Sequence, residues 1–235
     1  MIYLVSGEGP SDIGALDGHG LFVAGPMTYF IDRIIEENHS YSALQSGIIQ
    51  FVHETELSHA SKRLSSGKKG MSFPGAKSKK ETAFFHRNAR ALARLARVKA
   101  EEQNDDQPVA ILFRDADGTV SQRRGVWEDK VYSITAGFDA EGFDRGVPMV
   151  PRPKSEAWLL CAVKDPPYQD CQALENTPGN DRSPYALKKR LCEALNGQES
   201  AREINDLICS GQIDPLQIDM PSFNYFKQRL EESIR

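Results

Sequence analysis

Residues 108–118 read Pro108-Val-Ala-Ile-Leu-Phe-Arg114-Asp115-Ala116-Asp117-Gly118. Five consecutive apolar residues, β-branched and aromatic among them, closed by an acidic Gly turn, predict a strand buried on both faces. A matching pattern opens the chain: Ile2–Ser6 is apolar and ends in Gly7-Glu8-Gly9-Pro10-Ser11-Asp12. Gly47–His53 and Val147–Val150 predict two further strands. Helical spacing falls between them. Pro26–Asn38 places Met27, Phe30, Ile31, Ile34 and Ile35 on one stripe, and Thr82–Gln103 does the same with Phe85, Ala89, Leu92 and Ala96. A helix over 124–137 follows, and Lys154–Val163 opens another after Pro153. The last third predicts helices at Pro184–Leu195, 200–210 and Ser222–Ser233.

Strands alternating with helices predict an α/β fold with a mostly parallel sheet and helices on both faces. The expected organisation is a core over 1–165 with a helical C-terminal extension over 166–235 packed on it. Parallel sheets bind ligands beyond their carboxyl ends. Glu8, Asp115 and Asp117 are expected there. Asp-x-Asp on extended backbone sends both carboxylates to one side. Clustered carboxylates repel one another unless a cation neutralises them, and hard oxygen donors suit Mg²⁺ or Mn²⁺.

The chain has 235 residues, 40% hydrophobic and 26% charged, enough for a packed core without staples. No apolar run reaches the roughly 20 residues of a membrane span. The first residues read as a strand rather than an export signal, so a cytoplasmic protein is expected. Cys161, Cys171, Cys192 and Cys209 form no Cys-x-x-Cys pair and are expected as reduced thiols. The five histidines show no ligand spacing.

Charge is uneven. Residues 51–100 hold twelve of the 29 Lys and Arg but three of the 33 Asp and Glu. A polyanion-facing surface on an acidic body is one reading of that split; a solvated helix face is the other. Residues 58–80 are expected to form a basic loop insertion, punctuated by Gly67, Gly70, Pro74 and Gly75. Arg87, Arg90, Arg94 and Arg97 either extend the basic surface or form the wet side of a helix.

The pairing of a strand ending in Gly7-Glu8-Gly9-Pro10-Ser11-Asp12 with a later strand ending in Asp115-Ala116-Asp117 resembles the TOPRIM domain of topoisomerases, bacterial primases, recombination mediators and overcoming-lysogenization-defect nucleases. Lys154-Ser155-Glu156-Ala157-Trp158-Leu159, with a tail around Met220-Pro221-Ser222-Phe223, is similar to a small stand-alone TOPRIM-like branch linked with anti-phage defence. The resemblance implies a Rossmann-like TOPRIM core and metal-dependent hydrolysis of nucleic-acid phosphodiesters, DNA or RNA, with water as nucleophile. It implies metal ligands Glu8, Asp115, Asp117 and Glu156, with two metals about 4 Å apart. Catalytic roles fall to Glu8, Asp115, Asp117 and Lys154, the last steadying developing phosphoryl charge. Lys62, Arg63, Lys68, Lys69, Lys77, Lys79 and Lys80 would grip the phosphate backbone. No Gly-x-x-x-x-Gly-Lys-(Ser/Thr) motif occurs, so the ATPase of the related nucleases would act in trans. A homo-oligomer is compatible with all of this.

Two other readings stand beside it. Asp115-Ala116-Asp117-Gly118-Thr119 also resembles the haloacid-dehalogenase phosphatase motif, with Asp115 as nucleophile and Asp117 as acid/base. That reading leaves Glu8 idle. Its best downstream acid, Asp181, follows no apolar strand. The other is a non-catalytic TOPRIM scaffold that binds a partner.

Overall fold

The structure is a computed structural model that describes residues 1–65, 77–116 and 126–235, the side chains of 65, 77–81 and 126 excepted. Four parallel strands form the central sheet: β1 (Tyr3–Gly7), β4 (Ile49–Phe51), β5 (Val109–Phe113) and β6 (Gly146–Met149), in the order β4-β1-β5-β6. A small antiparallel hairpin, β2 (Gly14–Leu16) with β3 (Phe22–Ala24), follows the first turn. The helices are α1 (Pro26–His39), α2 (Glu54–Ser65), α3 (Lys77–Glu102), α4 (Val126–Asp139), α5 (Ser155–Val163), α6 (Leu187–Ala194), α7 (Ala201–Cys209) and α8 (Pro221–Ser233).

Period two decides the layering. Tyr3, Val5, Ile111, Phe113, Val147 and Met149 point to one face and pack with α1, α5, α7 and α8. Leu4, Ala110 and Leu112 point to the other and pack with α3 and α4. Both faces are covered, as an all-parallel sheet requires. Residues of the C-terminal third, among them Phe223, Phe226 and Leu230, share the first of these clusters with β1 and α1.

Chain order then creates a switch point. From β1 the chain crosses by α1 to β4 on one side; from β5 it crosses by α4 on the opposite face to β6 on the other side. The crevice between such diverging crossovers lies beyond the carboxyl ends of β1 and β5, the usual ligand position in open α/β sheets. Register pairs Gly7 with Phe113, so Glu8 and Arg114 leave the sheet side by side.

Three expectations need correction. Residues 58–65 are not loop: they belong to α2, whose Leu57, Ala60 and Leu64 face the core side and whose first turn is acidic and last turn basic. Likewise 77–80 lie in α3. The glycines and Pro74 outweighed a helical pattern that was present on either side of them. Lys68 and Lys69 lie outside the described residues. Of the α3 arginines, three are structural. Arg90 and Arg94 pair with Glu141 at 2.6 and 2.7 Å, and Arg97 donates to the Gly142 carbonyl while lying over Phe143. Finally, Cys161 and Cys171 form a disulfide joining α5 to the short 3-10 turn at Cys171–Asn176; Cys192 and Cys209 are the free thiols. Among the described residues no helix is long and apolar enough to cross a membrane.

Candidate functional site

Every strand of the sheet delivers polar residues at its carboxyl end. After β1 comes Glu8, half-exposed, in a turn that Gly9 makes possible. Gly9 has φ +81°, and a Cβ there would lie 2.5 Å from an Asp12 carboxylate oxygen. After β5 come Arg114 and Asp115; after β6, Lys154, Ser155 and Glu156; after β4, Glu54 at the start of α2.

Asp115 and α5 are joined directly. The backbone N–H of Ser155 donates to Asp115 Oδ1 at 3.1 Å, and the Ser155 hydroxyl donates to Asp12 Oδ1. Glu156 occupies the first turn of α5, where the helix dipole favours an anion. Lys154, in extended backbone just before α5, places its ammonium 3.1 Å from Asp181 Oδ1. So Asp181, the acid that the phosphatase reading needed, does reach this edge, but on Lys154.

The electrostatics are those of acids partly withdrawn from water. Burial pushes the Glu8 carboxyl up; Arg114 opposes it, Glu54 adds to it, and Lys130 and the Asp115 backbone hydrogen bond oppose it further. Burial also pushes Asp12 up, against the Ser155 hydroxyl. Glu156 is raised by burial first, with the charges of Asp12 and Asp181 adding to it.

Beneath Glu8 lies Arg114, fully buried, its Nη1 3.7 Å from Glu8 Oε2 and 3.9 Å from Glu54 Oε1. The ring of Phe84 packs on the guanidinium at 5.6 Å. Lys130 donates to the Ala116 carbonyl at 2.9 Å from the same side. Sequence reasoning left Arg114 as a flank of the acidic motif and Asp12 as a supporting residue of the first turn, and missed Glu54 and Ser155 as neighbours. The available signal was position: each lies within a few residues past a strand's carboxyl end.

Of the expected ligands, Glu8 and Asp115 meet at the switch point, and Glu156 stands on the helix that binds Asp115. Asp117 lies outside the described residues. Among the described residues no three His, Cys, Asp or Glu side chains gather tightly enough to hold a metal. The donor chemistry is nonetheless that of a hard divalent cation: carboxylate oxygens, with those of Glu8 and Glu156 raised by burial. Lys62 and Arg63 are exposed on α2, and the side chains of Lys77, Lys79 and Lys80 are not described.

Comparison with protein-family models, with curated proteins and with solved structures finds no match to this chain.

Proposed function

We propose that this chain is a metal-dependent nuclease of the TOPRIM kind, hydrolysing nucleic-acid phosphodiester bonds. The observation that carries the reading is the convergence of Glu8 and Asp115 on the switch point of a parallel sheet, where α/β folds bind their ligands. The same two acids, with Asp117, carry the sequence resemblance.

In this reading Glu8 and Asp115, with Asp117 from the sequence motif, hold Mg²⁺ or Mn²⁺, and Glu156 serves a second ion. The chemistry such an ion supplies when bound is Lewis-acid activation of the phosphodiester and of the attacking water. The chain's own residues orient that chemistry. Ser155 N–H orients the Asp115 carboxylate at the sheet edge. Lys154 lies close enough to the acids to meet phosphoryl charge, once substrate competes with Asp181 for its ammonium. Lys62 and Arg63, on the helix that begins at the site edge, would contact backbone phosphates.

A partner ATPase acting in trans and a role in anti-phage defence belong to this proposal through the resemblance alone; self-assembly and a cytoplasmic setting are proposed with them.

The test is cleavage of plasmid DNA and of total tRNA with Mg²⁺ or Mn²⁺. Glu8→Ala and Asp115→Ala are each expected to lower cleavage by at least about a hundredfold, the scale of losing a principal electrostatic group. Their melting temperatures should stay within a few degrees of wild type. Normal cleavage by either variant rejects the site. Turnover of a generic phosphatase substrate that needs Asp115 and ignores Glu8 would replace the nuclease with the phosphatase.

A further inference from the structure

Arg114 is the most unusual side chain of this site. Its guanidinium is fully buried, yet none of its three nitrogens makes a hydrogen bond. A guanidinium carries five donors in a fork that matches a carboxylate, and a buried one normally uses them. This protein forms such bonds elsewhere: Arg90 and Arg94 hold Glu141 at 2.6 and 2.7 Å. Arg114 instead stands between two carboxylates, 3.7 Å from Glu8 and 3.9 Å from Glu54, with Phe84 against it. It is locked to neither.

We infer that Arg114 is a positioning residue whose charge is divided between Glu8 and Glu54, so that Glu54 tunes how tightly Glu8 can share a divalent cation. The inference rests on the proposed metal-binding role of Glu8. Its physics is Coulombic. A guanidinium 3.7 Å from a carboxylate repels a dication bound to that carboxylate, and burial reduces the screening. Glu54 draws part of that positive charge toward itself. Its place is set by the sheet, because α2 begins three residues after β4 ends. Its side chain is more than half exposed, so exchange for Gln leaves packing intact.

The experiment is Mn²⁺ binding to the full chain without substrate, followed by the electron paramagnetic resonance signal of free Mn²⁺. Thermal unfolding is recorded on each variant. Removing the guanidinium in Arg114→Met is expected to tighten binding roughly tenfold. Glu54→Gln, which leaves the whole charge on Glu8, is expected to weaken it about threefold. Arg114→Lys should stay near wild type, since it keeps the charge.

The deciding measurement is the double variant. If Glu54 acts through Arg114, Glu54→Gln weakens Mn²⁺ binding less in the Arg114→Met background than in the wild-type background. An equal weakening in both backgrounds means that Glu54 acts on the cation without Arg114 and overturns the inference. So does a Glu54→Gln variant that binds as tightly as wild type. Should Arg114→Met fail to fold, Arg114→Gln, which also removes the charge, takes its place in the same cycle with the same two outcomes. Glu8→Gln separates the two proposals. If it leaves Mn²⁺ binding unchanged, the metal site itself is lost; if it weakens binding while Glu54→Gln does nothing, only the role of Arg114 and Glu54 falls.

Discussion

At the scale of single residues, the site is a set of acids held against their own preference. Glu156 shows the sign. Burial raises its carboxyl above the ordinary value, and Asp12 and Asp181 reinforce the shift. A raised carboxyl favours the neutral form in the folded state, so the ionised form opposes folding once the pH exceeds the unfolded value, about 4.3. Glu156→Gln should therefore raise the melting temperature at pH 7 in metal-free buffer, by about 2–4 °C for each kcal/mol relieved. The gain should vanish as the pH falls to about 4. An equal or lower melting temperature at pH 7 would contradict this account of the site. Glu8 and Asp115 were legible in the sequence because each sits in a contiguous motif behind an apolar run. Arg114 and Glu54 were not: nothing local says that residues 60 apart will share a charge.

Between elements, the two later motifs turn out to be one structure. Trp158 of α5 is fully buried against Phe223 and Phe226 of α8, and its indole N–H donates to Ser222 Oγ at 2.9 Å. Glu175 accepts from the Ser222 N–H at 2.7 Å, satisfying a donor at the start of α8. The C-terminal helix thereby supports the helix that carries Lys154, Ser155 and Glu156. Phe223→Ala should lower stability by about 3–5 kcal/mol, the range for losing a buried aromatic ring. Denaturant unfolding measures it, and a loss below about 1 kcal/mol would mean α8 is not what holds α5. Helices α1 and α3 were readable from their periodicity. Helix α2 was not, because Gly67, Gly70 and Pro74 drew residues 58–65 into a loop, although Leu57, Ala60 and Leu64 already kept helical step.

For the whole molecule the distribution of charge matters more than the net −4. Part of the basic run over 51–100 is spent inside the fold: Arg90 and Arg94 neutralise Glu141, and Arg97 ties α3 to the turn after α4. Lys62 and Arg63 of the same run are exposed on α2. Each phosphate contact contributes close to one unit to the dependence of log K on log salt. Lys62→Glu/Arg63→Glu is therefore expected to weaken binding to single- or double-stranded oligonucleotides and to flatten that slope by about 1–2. A slope equal to wild type would remove α2 from the nucleic-acid path.

The sequence by itself determined the alternation of strands and helices, the two-sided burial of the sheet and the placing of Glu8, Asp115 and Glu156 past strand ends. Those follow from periods of 2 and 3.6 residues and from local turn chemistry, which a chain carries along its length. Only the tertiary structure decided the order β4-β1-β5-β6, the disulfide between Cys161 and Cys171, the use of α3 arginines as struts and the burial of Arg114 between Glu8 and Glu54. These depend on which distant segments come within a few ångströms. Charge pairing and desolvation act over that distance in space, whatever the separation along the chain.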